Sequence, residues 1–175
     1  AALFEIEYGI EISHEMLEKA WADVEKSLKN FIDMPLLLNK LFVAQKLIVQ
    51  RTLDFPLLSA KARAKPDLIS FYRIESPHIF DWKVHTFGVT DYRQQLATYA
   101  LALERCKKYR DINDYRGKRT ATDFKLFEVQ LLTKQIREYQ LTEDDIDNLE
   151  NRIVRSYRQM SLILDGQEKD DFKFE

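Results

Sequence analysis

Cysteine is almost missing from this chain: Cys106 is the only one in 175 residues. That excludes an internal disulfide framework and any zinc or iron–sulfur site ligated by the chain's own cysteines, and a reducing, cytoplasmic setting is expected. Glycine and proline are scarce, four of each, while 12% of residues are aromatic. This balance excludes disorder or low-complexity linker as the bulk of the chain. No apolar run approaches the roughly 18 residues that a membrane span needs. The opening residues lack the basic-then-apolar order of a signal peptide, so no membrane partner is expected. An excess of base is absent too: 27 Lys and Arg stand against 29 Asp and Glu, a formal net charge of −2. Net charge therefore does not point to nucleic acid.

What is present suffices for one domain, spanning 1–175, since 45% of the residues are hydrophobic and a chain of this length can bury a real core. The charges are unevenly placed. Acids gather in Glu143-Asp144-Asp145 and from Glu168 to Asp171, bases at Arg51, from Lys61 to Lys65 and from Arg105 to Arg119. Two readings follow: a solvated mixed surface, or basic segments that flank an acidic site and follow a phosphate backbone.

Periodicity organises the chain. Ser13 can cap a helix carrying Leu17, Trp21, Val24, Leu28 and Phe31 at helical spacing, and a shorter helix follows from Pro35 to about Ala44. From Lys46 to Phe55 the period changes to two, with Leu47, Val49, Leu53 and Phe55 on one side of a strand. Strand-like runs Asp67–Ile74 and His78–Val84 flank Glu75-Ser76-Pro77, which reads as a hairpin turn. Thr90 can cap a helix from Asp91 to about Lys107, and Asn113–Thr122 reads as loop. Asp123–Leu132 and Gln135–Leu141 read as paired strands. Thr142 and Asp145 form a capping box for a last helix, 143–165, closed by Gly166, with an acidic tail over 166–175 expected to fray. The order is α, three β, α, two β, α, with the two early helices in 13–44 and a core at about 46–141.

The chemistry lies between Pro66 and Tyr99. Alternate residues of a strand share a face, so Asp81 and Lys83 project together while Phe80, Trp82 and Val84 enter the opposite layer. Asp67 and Asp81 offer the hard oxygens preferred by Mg2+ and Mn2+, and the backbone carbonyl of Trp82 is a further oxygen beside them. Such a metal activates water and neutralises charge on a phosphodiester, and the Lys83 ammonium can stabilise the charge that develops. A turn centred on Ser76 would set Asp67 opposite residue 85, roughly 13 Å from Asp81, so a bulge or a bend at Pro66 is required. Acid-x-Lys occurs twice, at Asp81-Trp82-Lys83 and Asp171-Phe172-Lys173, and Gln-x-x-x-Tyr twice, at Gln95–Tyr99 and Gln135–Tyr139. Only the first of each pair falls on the element type that the chemistry needs.

With Pro66-Asp67, Asp81-Trp82-Lys83 and the helix Tyr-Arg-Gln-Gln-Leu-Ala-Thr-Tyr-Ala-Leu-Ala-Leu in this order, the segment from about Lys46 to Leu141 resembles the PD-(D/E)XK nuclease superfamily, in particular its RecB-like exonuclease branch. The resemblance implies an α/β fold with a restriction-endonuclease-like core, a central mixed β-sheet flanked by helices. It implies Asp67 and Asp81 as ligands of Mg2+ or Mn2+, Lys83 as catalytic, and Gln95 and Tyr99 as supports of the site or DNA contacts. Members often add a histidine from an early helix; His14 is the candidate here, with an exposed, unengaged histidine as the alternative, and Glu15 and Glu18 within a turn of it as possible substitutes. The branch's iron–sulfur variants are excluded by the single cysteine. DNA is the implied substrate, in repair, recombination or the metabolism of mobile DNA, with a helicase or other subunit as a possible partner.

Several residues have a weaker claim. Arg93 and Gln94 open the Gln–Tyr helix, whose N-terminus attracts anions, and Arg63 and Lys65 lie in the basic segment before Asp67; these four are candidate nucleic-acid contacts. His78 and His85 bracket the Asp-Trp-Lys strand and could meet phosphate or simply end it. Tyr72, Trp82 and Tyr92 could stack on bases or pack in the core. The other function classes are an inactive nuclease-fold domain that binds nucleic acid or a protein, and a structural module in which Asp81 and Lys83 are ordinary exposed strand residues.

Overall fold

Ser13 starts the first helix by accepting a hydrogen bond from the Met16 amide, 3.2 Å away, as an N-cap does. The structure, a computed structural model, describes residues 13–57, 60–84 and 92–164. Helix α1 (His14–Ile32) stops at Asp33, and Pro35, in the first turn where its missing N–H costs nothing, opens α2 (Pro35–Phe42). Five strands then precede the next described helix: β1 (Lys46–Val49), β2 (Leu53–Leu57), β3 (Ala60–Ala64), β4 (Leu68–Phe71) and β5 (His78–Lys83). Helices α3 (Arg93–Arg105) and α4 (Arg110–Arg116) and a 3₁₀ turn (Ala121–Asp123) lead to β6 (Lys125–Gln130), β7 (Gln135–Tyr139) and α5 (Glu143–Leu164). Thr142 and Asp145 form the expected reciprocal cap on α5, with bonds of 2.8 and 3.2 Å.

The result is an α/β architecture around a mixed five-stranded sheet in the order β1-β4-β5-β6-β7, with five helices among the described residues. Only β5 and β6 are parallel, and a parallel pair demands a crossover, which α3 and α4 supply. One face of the sheet, with Ile69, Ile79 and Leu126, packs on Leu96, Ala100 and Leu103 of α3; β2, β3 and α5 close around that helix. The other face, with Leu68, Phe80, Phe127 and Val129, packs on Met34 and Leu37 at α2.

Four expectations are corrected. The single strand over 46–55 is two, because Gln50 takes a left-handed backbone (φ 46°) and donates its N–H to the Asp67 carbonyl. The break turns Leu47 and Val49 outward, while Ile48, Leu53 and Phe55 are buried. A separate hairpin, β2 with β3, therefore stands where the end of that strand and a basic stretch are expected; Pro56 occupies an exposed position in it. The Asn113–Thr122 loop begins inside α4, which Gly117 ends with a positive φ of 65°. The apolar stripe of α1 does not enter the core: Leu17, Trp21, Val24 and Leu28 are exposed. That helix is fixed near its end, where Asn30 donates to the Leu131 carbonyl and Phe31 meets Trp82 edge to face. The proposed caps Thr90 and Gly166, the 166–175 tail and His85 lie outside the described residues.

No described helix is long and apolar enough to cross a membrane.

Candidate active site

The hairpin register decides the geometry. Leu68 pairs with Phe80, Ile69 with Ile79 and Ser70 with His78, so one further place along the ladder sets Asp67 opposite Asp81. The connection is the six residues from Tyr72 to Pro77 rather than a tight turn at Ser76, and its centre lies earlier. The 13 Å gap expected for Ser76 does not arise, and no bulge is needed. Asp67 is fastened from both sides: its carbonyl accepts from Gln50 and its Oδ2 accepts from the Trp82 N–H at 2.9 Å. A strand residue's N–H and C=O face the same neighbour, so the Trp82 carbonyl looks toward Asp67 as well. The Trp82 ring goes to the opposite layer, stacked on Phe80.

Asp81 and Lys83 share the face toward α3. Lys83 Nζ lies 2.5 Å from Asp81 Oδ2 and donates to Gln95 Oε1 at 2.8 Å, while Gln95 Nε2 donates to the Tyr99 hydroxyl at 2.7 Å. Gln95 and Tyr99 are one helical turn apart, so both reach the same spot. The ring of Tyr92 lies 3.9 Å from the Lys83 ammonium, a cation–π contact. Asp67, Asp81, Lys83, Gln95 and Tyr99 are thus brought together.

Tyr92, expected to stack on bases or pack in the core, meets the lysine instead. Glu128 was not anticipated: it is Asp81's register partner on β6, is fully buried, and accepts from Gln130 Nε2 at 2.6 Å and from the Tyr139 hydroxyl at 2.7 Å, with Arg137 at 3.5 Å. Its signal in the sequence is an acid inside the apolar run Leu126-Phe127-Glu128-Val129, where charges are rarely found unpaired. Burial raises the Asp81 carboxyl pKa above the ordinary aspartate value; Lys83 opposes this, and Asp67 and Glu128 add to it. Burial also raises the Tyr99 phenol, with the Gln95 hydrogen bond opposing and the charges of Asp81 and Asp67 adding.

The remaining candidates sit elsewhere. His14 is exposed on the first turn of α1, its Nδ1 3.3 Å from Glu18, and no contact carries it to Asp81. Arg93 is engaged with Asp145 at 2.6 Å and with the Gln140 carbonyl. Gln94 is exposed and accepts from Arg152. Arg63 pairs with Asp54 at 2.8 Å, and Lys65 is exposed. His78 is buried against Tyr72 and Phe127 in the α2 layer, and Tyr72 bonds to Ser70 and the Lys40 carbonyl, so neither is placed to meet a substrate.

Among the described residues no group of three His, Cys, Asp or Glu side chains forms a cage for a metal. The donors present still suit Mg2+ or Mn2+, which are commonly held by one or two carboxylates with water and phosphate completing the shell. Asp81 Oδ2 is sealed from solvent and faces the Lys83 ammonium at 2.5 Å, so a metal at Asp81 would share this carboxylate with the lysine. No family model matches the chain, and no curated protein matches it in sequence.

Proposed function

We propose that the chain is a divalent-metal-dependent deoxyribonuclease with a restriction-endonuclease-like core, hydrolysing phosphodiester bonds as a RecB-like exonuclease or DNA end-processing enzyme. The observation that carries this reading is Asp67 bonded through Oδ2 to the Trp82 amide beside Asp81, with Lys83 against Asp81 and tied through Gln95 to Tyr99. Asp67, Asp81 and the Trp82 carbonyl would hold Mg2+ or Mn2+, which supplies Lewis acidity and an acidified water when bound. Lys83 brings a fixed positive charge to phosphoryl oxygens as negative charge grows on them. Because Gln95 and Tyr92 already hold it, little reorganisation is needed in the transition state. Tyr99 fixes the Gln95 amide so that its carbonyl oxygen, and not its NH2, faces the lysine. The near-complete burial of Asp81 and Lys83 strengthens each of these electrostatic contacts.

The test is cleavage of linear and closed-circular DNA with Mg2+ or Mn2+, the parent chain beside Lys83→Ala. The expected outcome is consumption of linear DNA that stops when metal is chelated, with the variant slower by about 10²–10³-fold, the usual cost of removing one transition-state donor. Equal rates for the two chains, or no cleavage by the parent, would refute the reading and leave a binding domain.

A further inference from the structure

On α5, Arg152, Arg155 and Arg158 follow at three-residue spacing along one side of the helix, with Asn148, Asn151 and Gln159 on the same stripe. No residue three or four places from any of the three arginines is acidic. Among the described residues none of them forms an ion pair, whereas Arg93, Arg105 and Arg110 each meet an acid. The polar partner of Arg152 is neutral, the Oε1 of Gln94. Like charges at this spacing repel, so apart from the Arg152–Gln94 bond the fold gains no attraction from the three arginines among the described residues. The opposite side of α5 carries the residues that reach the core, Ile146, Leu149 and Ile153.

The arginines lie on an exposed face of α5, which shares Asn148 and Arg152 with a cleft of about 380 Å³ between α5 and the first turn of α3. Asp145, in that cleft, is already matched by Arg93 and the Thr142 amide. Gln94 lines the cleft, and the next residue is Gln95, which holds Lys83. Consecutive residues of a helix face different ways, so the cleft borders the helix that carries Gln95, while none of Asp81, Lys83 and Gln95 lines it.

We propose that this stripe is a track for the phosphate backbone of nucleic acid, each arginine meeting one phosphate; the choice of nucleic acid over another polyanion rests on the nuclease reading. Asn148 to Arg158 spans about 15 Å at 1.5 Å per residue, about four nucleotides of one duplex strand at 3.4 Å each. Arginine forks suit phosphate, and the amides between them donate to phosphate oxygens without adding charge. The phosphodiester chemistry proposed for Asp81 and Lys83 selects nucleic acid over an acidic protein.

The test compares the parent chain with the triple variant Arg152→Gln, Arg155→Gln, Arg158→Gln. Binding of a fluorescent DNA oligonucleotide is measured with Ca2+ in place of Mg2+ between 50 and 200 mM salt. Each phosphate contact contributes about 0.9 to the salt slope on duplex and about 0.7 on single strands. The variant's slope is therefore expected to be shallower by about 2–3, and the parent to lose about 20–40-fold more affinity across that range. Parallel salt curves, no binding by the parent, or equal competition by polyglutamate would overturn the track. Parallel curves with intact DNA cleavage remove the track and leave the nuclease reading standing; the expected change of slope without cleavage by the parent does the reverse.

Discussion

Lys83 is 9% exposed, and an ammonium so far from water depends on every neighbour it has. Asp81 supplies charge, Gln95 an acceptor and Tyr92 the negative face of its ring. Gln95→Ala removes a contact made to the lysine and not to substrate, so kcat is expected to fall about 10–100-fold with KM nearly unchanged, as for other supporting residues. Steady-state kinetics on linear DNA check this, and a rise in KM alone would assign Gln95 to substrate binding instead. The residues of this centre were legible in the sequence where strand alternation or helical spacing fixes a direction: Asp81 with Lys83, and Gln95 with Tyr99. Glu128 was not, because it joins the site across a parallel ladder from a strand far away in sequence, and Tyr92 was legible only as a ring able to stack or pack, its place against the lysine being a tertiary contact. The place of Asp67 was legible as a requirement only, since its distance from Asp81 depended on where the hairpin turns.

At the scale of elements, β5 serves two layers at once, and His78 on its inner face has a consequence for stability. Burial, with Lys40 and Lys125 nearby, lowers its pKa from 6.5 to about 4, against the weaker pull of Glu75. The folded chain thus holds a neutral imidazole that the unfolded chain would protonate below 6.5. The stability this group contributes is present above pH 6.5 and is lost as pH falls toward 4, a difference of about 3 kcal/mol. Urea denaturation of the parent and of His78→Leu is expected to show a steeper acid loss in the parent between pH 6.5 and 4; coincident profiles would refute it. The sequence reading missed elements where their signal was weak. Strand β3 is Ala-Lys-Ala-Arg-Ala, with no large apolar side chain to mark alternation. A single left-handed residue, Gln50, split a strand whose periodicity looked continuous. Helix α4 has only one buried residue, Ile112, and so almost no apolar stripe to recognise. The long helices α3 and α5 and the pair β6–β7 were legible because their apolar positions recur at a clear period and their turns or caps are local.

Over the whole molecule, a formal charge of −2 conceals a division of labour. Asp81 and Glu128 are register partners on the α3 face of the sheet with Asp67 beside Trp82, while Arg152, Arg155 and Arg158 on α5 form no ion pair among the described residues. An acidic centre with a separate row of arginines suits the proposed chemistry on a polyanion, and composition averages it away. The exposed apolar stripe of α1 belongs to this scale too, since only its last turns meet the sheet. Under the proposed function, Asp67 and Asp81 together hold a divalent ion against phosphate. Mn2+ binding, followed by electron paramagnetic resonance with a phosphorothioate-linked oligonucleotide present, tests it most directly. The parent and Lys83→Ala are expected to bind the ion, and Asp67→Asn and Asp81→Asn to lose it at the same concentration. Equal binding by all four chains, or none by the parent, would contradict the account.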